Sequence, residues 1–237
     1  MDKNLLIVVN HIRDTTLRRK VVEVLEKPSI KIAGRTYSGL PLERSPASVW
    51  RHHSYAGGFI EHTLALYELS MSIARMVKKV YGCRVDTDLV TCGVLLHDIF
   101  KPATYSEREA GRYRRSNLAE RLDHLTLATA ELIRREFPLD VVHMVAASHG
   151  RQFGPIGPMT IEALILHLAD RTEAELNGEI LSAARFMIRE VRGEEPQVLT
   201  GREAFKVVRT KTDKGWDGLR DSLSKKAPEM TGHFSHD

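Results

Sequence analysis

Residues 89–98 read LVTCGVLLHD, an apolar run that ends in a histidine and an aspartate. Asp86 or Thr87 can cap a helix at its start, and Pro102 marks its end. Because this helix is apolar on nearly all sides, we expect it to be central and buried. Burying the carboxylate of Asp98 is costly unless it is paired or holds a metal ion, so the doublet predicts an internal site.

Other ionisable residues have similar surroundings. Asp170 ends a second apolar helical run, and several histidines lie on further predicted helices with apolar neighbours. Helical bundles build metal sites in this way, from side chains that project inward from facing helices. For the His97-Asp98 doublet, the alternative is a buried hydrogen-bonded pair without metal. The residues placed in this site are His62, His97, Asp98, His124, His149 and Asp170.

The remaining histidines and the cysteines have simpler interpretations. His11, His143 and His167 are interpreted as packed or surface residues; for His167, three residues before Asp170, the alternative is a supporting role on the same helical face. Cys83 and Cys92 lack the paired spacing of a zinc knuckle, so they are interpreted as inert buried thiols.

Composition limits the class of protein. The chain has 237 residues, and with only two cysteines it is neither a disulfide-rich scaffold nor a chain with a cysteine-built zinc site. Its formal charge of +4 permits an anionic substrate without requiring a polyanion. The apolar run Leu5–Val9 is too short for a signal-peptide core or a membrane span, so we expect a cytoplasmic protein without a membrane partner.

Helical periodicity recurs along most of the chain and predicts an all-α fold. We expect one helical core over residues 46–195, a helical N-terminal extension over residues 1–45 and a C-terminal appendage over residues 196–237, with a disordered tail from Lys225. Within this frame, residues 27–48 and 103–119 are expected to be loops. A helix capped by Thr160 is expected to end at Gly178.

The order of His62, the His97-Asp98 doublet and Asp170 resembles the H…HD…D pattern of the HD-domain metal-dependent phosphohydrolases. The resemblance covers about residues 46–177, and the doublet is its most specific part. It implies an all-α core in which these four residues hold one metal ion.

The same resemblance extends to a second ion. His124 and His149 are similar to the additional ligands of two-metal members, and Asp98 would then bridge the ions. Imidazole and carboxylate ligands without thiolate suit Fe(II), Mn(II), Co(II) or Zn(II). The resemblance favours Fe(II) and two ions per chain.

Residues 45–63, SPASVWRHHSYAGGFIEHT, resemble the corresponding segment of two subfamilies. One contains archaeal phosphodiesterases that open 7,8-dihydroneopterin 2′,3′-cyclic phosphate in tetrahydromethanopterin biosynthesis; the other contains bacterial 3′→5′ exoribonucleases. Residues 135–139, 148–150, 154–158 and 214–218 look more like the archaeal enzymes. The exoribonucleases also carry an N-terminal OB-type domain, for which the mostly helical residues before this segment leave no room.

Several residues near the ligands have chemistry suited to a cyclic phosphate. Lys101, three residues after Asp98, is predicted to hold the phosphoryl group. His53 is predicted to act as a general acid or to contact the substrate, and the alternative is a packed turn residue without a role in the reaction. The loop arginines Arg108, Arg112 and Arg115 are candidates for substrate binding, although a solvated loop explains them equally well.

Three alternative functions are compatible with these sequence features. The first is hydrolysis of a small cyclic phosphate by a metal-activated water, which makes the partner a small phosphorylated metabolite. The second is an exoribonuclease or nucleotidase on the same core, which the modest charge disfavours. The third is a metal-bearing regulatory domain without turnover, which the complete ligand set disfavours. A homo-oligomer remains open.

Overall fold

The apolar run of residues 89–98 forms the helix α4, Thr87–Leu96, in the computed structural model, which describes residues 1–108 and 111–224. All but two of the ten residues of α4 are buried, as predicted. The side chain of Asp86 accepts hydrogen bonds from the backbone N–H groups of Asp88 and Leu89, so the predicted cap is confirmed.

The other described elements are mostly helical, which confirms the all-α class. The helices besides α4 are α1 (Lys3–Val9), α2 (Thr15–Glu26), α3 (Gly58–Tyr81), α5 (His124–Arg134), α6 (Leu139–Ala147), α7 (Gly150–Phe153), α8 (Ile161–Arg192) and α9 (Gly201–Ser224). The strands are β1 (Ser29–Ile32), β2 (Arg35–Ser38), β3 (Tyr105–Glu107) and β4 (Tyr113–Arg115).

Two groups of buried apolar residues surround α4. One contains residues from α1, α2, α3, α4, α5 and α6; the other contains residues from α3, α4, α6 and the first turns of α8. Gly93 allows α6 and α8 to approach α4 closely, because a Cβ atom there would lie 2.6 Å from Met144 Cε and 2.9 Å from Leu166 Cδ2. The C-terminal end of α4 therefore packs against the helices that carry the other candidate residues.

Two segments predicted to be loops contain antiparallel hairpins. Within residues 27–48, β1 pairs with β2 so that Ile30 faces Tyr37. Within residues 103–119, β3 pairs with β4 so that Tyr105 faces Arg115. Strands of three or four residues are too short for the alternation of apolar and polar residues to be recognised, which explains why the loop predictions were wrong here.

The predicted helix end at Gly178 was also wrong, since α8 continues through this residue to Arg192. A Cβ atom at Gly178 would meet nothing within 4 Å, so this glycine neither ends the helix nor allows a close contact. The polar appendage contains α9, in which Gly215 adopts a φ of 68° and kinks the helix. The predicted disordered tail from Lys225 lies outside the described residues.

The chain divides into two compact units, the first covering Met1–Gly178 and the second beginning at Glu179. All six candidate ligands belong to the first unit. The predicted domain boundaries after residues 45 and 195 stay predictions. Among the described helices, none has both the length and the apolar character needed to cross a membrane.

Candidate metal centre

The six candidate ligands converge on one internal space. They lie on helices or in the turns that directly follow helices, so the backbone fixes where each side chain begins. They are His62 on α3, His97 and Asp98 after α4, His124 at the start of α5, His149 after α6, and Asp170 on α8. We call these six residues the His/Asp cluster.

One half of the cluster consists of buried residues. His62 Nε2 lies 3.3 Å from Asp170 Oδ1 and 3.6 Å from Asp98 Oδ2. His97 Nε2 lies 3.3 Å from Asp98 Oδ2 and 3.7 Å from Asp170 Oδ1. Two imidazole rings therefore face the same two carboxylate oxygens.

The other half of the cluster faces the remaining oxygens of the same two aspartates. His124 Nε2 lies 3.2 Å from Asp98 Oδ1, and His149 Nε2 lies 3.5 Å from Asp170 Oδ2 and 3.9 Å from Asp98 Oδ1. Each aspartate thus directs one oxygen towards each pair of histidines. Both carboxylates lie between the two halves.

Several atoms that face this space have no normal hydrogen bond. Within the described part of the chain, His62 Nε2, His97 Nε2, His124 Nε2 and Asp98 Oδ1 are buried without one. An unpaired buried polar atom costs about 1–3 kcal/mol, so such atoms rarely accumulate without a partner. Since imidazole nitrogens and carboxylate oxygens are ligands for divalent transition metals, this donor set fits a metal site.

The opposite nitrogens of two rings are occupied. His62 Nδ1 lies 2.5 Å from Glu173 Oε2, and His97 Nδ1 lies 2.9 Å from the carbonyl oxygen of Val94. Because both partners are acceptors, each Nδ1 carries a proton and each ring presents Nε2 to the cluster. Such contacts on the far nitrogen orient histidine ligands in metal sites.

The charges of the cluster balance one another. Burial lowers the pKa of His97, but the carboxylates of Asp98 and Asp170 outweigh this effect and raise it to about 10. Burial raises the pKa of Asp98, yet the charges of His97 and Lys101 hold it well below its usual range. Burial also raises the pKa of Asp170, but hydrogen bonds from His62 and His97 likewise hold it well below its usual range, so both aspartates are ionised at neutral pH, in the form that binds cations.

Lys101 lies against the cluster, where its Nζ atom is 2.5 Å from Asp98 Oδ2 and its side chain is 8% exposed. Burial lowers its pKa, but Asp98 outweighs burial and raises the pKa above the usual value. Lys101 is therefore a fixed positive charge beside the cluster.

His53 is buried beside the cluster, with its ring centre 5.4 Å from that of His62. Its backbone adopts a φ of 44°, in the left-handed region that non-glycine residues rarely occupy. Burial, reinforced by the charges of His62 and His52, lowers the pKa of His53 to about 2. Its ring is neutral at pH 7, so its predicted role as a general acid would require a raised pKa in the substrate complex.

The three loop arginines are exposed on the β3–β4 hairpin. Arg115 pairs with Tyr105, whose hydroxyl experiences the charges of both Lys101 and Arg115. Arg108 and Arg112 are both exposed, and they lie close to the undescribed positions 109–110. Substrate binding by these arginines stays a prediction.

The other histidines have separate partners. His11 stacks on Tyr67, and His143 Nε2 accepts the backbone N–H of Met159. His167 Nδ1 donates to the carbonyl oxygen of Ser148 at 2.7 Å, and its ring packs against Gly150. His167 therefore contacts the turn that carries His149.

Sequence reasoning missed three buried or half-buried neighbours of the cluster, namely His52, Glu173 and Asn177. Glu173 lies three residues after Asp170 and Asn177 seven residues after it, so both share the face of α8 that carries Asp170. This spacing was visible in the sequence. His52 gave no comparable signal, because an irregular segment has no fixed period.

The model of the HD domain family matches residues 59–175, within the first compact unit. The chain is 35% identical over 213 residues to the dihydroneopterin 2′,3′-cyclic phosphate phosphodiesterase of Methanocaldococcus jannaschii, which covers 90% of this chain and 85% of the relative. The chain belongs to the HD domain family, and it is a metal-dependent phosphohydrolase.

More distant relatives share only part of the chain. The 3′-5′ exoribonuclease YhaM of Bacillus subtilis is 31% identical over 143 residues, and that of Bacillus licheniformis is 29% identical over the same length. Each match covers 56% of this chain and 43% of the relative. No solved structure matches the chain.

Proposed function

We propose that this chain is a phosphodiesterase that opens a small 2′,3′-cyclic phosphate, most specifically 7,8-dihydroneopterin 2′,3′-cyclic phosphate, to a dihydroneopterin monophosphate in tetrahydromethanopterin biosynthesis. The extent of similarity carries this proposal. The relative named for this substrate aligns over 90% of the chain, whereas the exoribonucleases align over 56%. The longer alignment extends beyond residues 59–175, the part that the family model matches.

Two divalent ions, with Fe(II) favoured over Mn(II), Co(II) or Zn(II), would supply an activated water and neutralise charge on the phosphoryl oxygens. Asp98 bridges the two halves of the site, because its two oxygens face different histidine pairs. One half consists of His62, His97 and Asp170, and the other consists of His124 and His149.

The remaining residues act on the phosphate. Lys101 holds a phosphoryl oxygen, because it is buried, positively charged and adjacent to Asp98. The oxygen of water bonds to phosphorus and the water gives up one proton, one ester P–O bond breaks, and the departing alkoxide takes up one proton, so the net change is the addition of one water molecule. His53 contacts the substrate, and the negative charge of the phosphate raises its pKa towards a value at which it can donate that proton.

A substrate panel tests the proposal. The purified chain, loaded anaerobically with Fe(II) or with Mn(II), is incubated with the cyclic dihydroneopterin phosphate, 2′,3′-cyclic AMP and a short RNA. We expect the highest kcat/KM for the pterin and a monophosphate product. If cyclic AMP is cleaved equally well, the pterin assignment is wrong and only the cyclic phosphodiesterase class stands.

The exoribonuclease relatives define the second candidate function. A site for one cyclic phosphate contacts few charges, so raising the salt concentration should weaken binding only mildly. A nuclease that neutralises several phosphates would instead lose affinity steeply, with log affinity falling by about 0.7 per contact for each unit of log salt on single strands. Processive degradation of RNA with a steep salt slope would replace the first proposal with the second.

A further inference from the structure

α8 carries three buried polar residues on one face: Asp170, Glu173 and Asn177. Their spacing of three and four residues places them on successive turns of the same side of the helix. Asp170 belongs to the His/Asp cluster, while Glu173 and Asn177 contact residues beside it. This face therefore reaches both the candidate ligands and their surroundings.

Glu173 uses its two carboxylate oxygens for two different histidines. Its Oε2 atom lies 2.5 Å from His62 Nδ1, and its Oε1 atom lies 3.4 Å from His53 Nε2. Glu173 therefore contacts His62 at the ring nitrogen that points away from the cluster, and its second carboxylate oxygen faces the ring of His53. With Oε2 engaged on Nδ1, the Nε2 atom of His62 faces Asp98 and Asp170.

Asn177 acts on the backbone of the same region. Its Oδ1 atom accepts the backbone N–H of His53 at 2.8 Å, and this hydrogen bond is buried. The carbonyl oxygen of His53 accepts the backbone N–H of Ala47 at 3.1 Å. Since His53 adopts a φ of 44°, its conformation persists only where its surroundings hold it.

We propose that Glu173 and Asn177 are positioning residues with separable tasks: Glu173 orients the ring of His62 for metal binding, and Asn177 holds His53 at the site. The proposal rests on the ligand set proposed above and not on the identity of the substrate. Because Glu173 is hydrogen-bonded to the far nitrogen of His62, its carboxylate supports that ring instead of binding a metal ion itself.

Metal titration tests the task of Glu173. Co(II) affinity is measured by chelator competition and by the visible absorption spectrum for the wild type, Glu173→Ala and the isosteric Glu173→Gln. We expect Glu173→Ala to bind Co(II) about 10- to 100-fold more weakly. Glu173→Gln should lose less, because its amide oxygen still accepts a hydrogen bond. Glu175→Ala is the matched control, since Glu175 is exposed on the same helix and should bind like the wild type.

The possible outcomes separate this proposal from the one on which it rests. A wild-type chain that fails to bind Co(II) overturns the ligand set and the positioning task together. A wild type that binds while Glu173→Ala binds equally well overturns the positioning task alone. If Glu173→Gln loses one whole equivalent of Co(II) with the remaining affinity unchanged, Glu173 is a ligand and the proposal is wrong.

Kinetics on 2′,3′-cyclic AMP, a cyclic diester whose departing alkoxide must take up a proton, test the task of Asn177. We expect Asn177→Leu to retain Co(II) affinity while its kcat/KM falls about ten-fold, because His53 is displaced. Asn177→Asp keeps an oxygen acceptor at the same place and should recover most of the loss. Wild-type kinetics in Asn177→Leu, or a loss of metal affinity equal to that of Glu173→Ala, would contradict separate tasks.

Discussion

The His/Asp cluster and the β3–β4 hairpin both concentrate charged side chains, but they hold them differently. Cluster residues are placed by helices and by the turns that follow them, and the carboxylate of Asp98 is 1% exposed. The hairpin has strands of three residues, and its arginines are exposed. A buried charge acts through a low dielectric at a fixed distance, whereas an exposed charge is screened by water and salt. Substitutions in the two regions should therefore differ greatly in effect.

Asp98→Asn should have the largest effect, because it replaces the carboxylate shared by both histidine pairs with a neutral amide of the same size. We expect kcat/KM to fall by about 10³-fold or more, together with loss of bound metal. Metal analysis and steady-state kinetics measure both quantities. Asp140→Asn, at an exposed position of α6, is the control. Full activity or full metal retention in Asp98→Asn would remove Asp98 from the site.

Lys101→Met should have the next largest effect, because it removes a buried positive charge 2.5 Å from Asp98 Oδ2. We expect kcat/KM to fall about 10- to 100-fold while metal content changes little, since Lys101 is not a ligand. Lys101→Arg, which keeps the charge, should retain more activity. If the Met and Arg variants lose equal amounts of activity, the positive charge alone does not explain the role of Lys101.

The buried part of the site was predictable because its signal is energetic. A carboxylate at the end of the apolar run 89–98 needs a partner, and residues on regular helices have a known spacing. The same helical spacing reaches Glu173, because this residue lies within the helix predicted to start after Thr160 and one turn after Asp170. The placement of His53 depends on a left-handed backbone in an irregular segment, for which no periodic signal exists.

The hairpins could not be predicted from the sequence, because their strands also lack a periodic signal. β1 and β2 have four residues each, and β3 and β4 have three. Segments of this length bury few side chains, so their sequence carries little of the alternation that identifies a strand. Which arginine lies opposite Tyr105 depends on the register of the hairpin, and only the structure provides that register.

The register leads to a smaller predicted effect within the hairpin. Arg115 faces Tyr105, next to Lys101, whereas Arg112 lies farther along the hairpin. We expect Arg115→Ala to raise KM about two- to five-fold with kcat nearly unchanged, and Arg112→Ala to change neither by as much as two-fold. The KM effect should shrink as salt rises. A larger KM effect in Arg112→Ala than in Arg115→Ala would mean that the substrate lies nearer to Arg112 than to Arg115.

Glu131 offers a buried carboxylate whose partners are arginines instead of the candidate ligands. Its side chain is 1% exposed and accepts hydrogen bonds from Arg134 Nε at 2.8 Å and Arg135 Nε at 2.7 Å. Burial raises the pKa of Glu131, but these two arginines outweigh burial and lower the pKa below its usual value. Because the folded state has the lower pKa, the carboxylate stabilises the fold above the unfolded pKa of about 4.3 and loses that contribution as the pH falls through the folded value.

Glu131→Gln should therefore lower the free energy of unfolding by about 1–2 kcal/mol at pH 7, and the difference from the wild type should diminish below about pH 4. Urea unfolding of the metal-free chain at several pH values measures this difference. Turnover and metal content should match the wild type, since Glu131 pairs with residues of its own helix and the turn that follows it. A stability difference that persists in acid would contradict a stabilising role for the ionised carboxylate of Glu131. A loss of bound metal would contradict its independence from the His/Asp cluster.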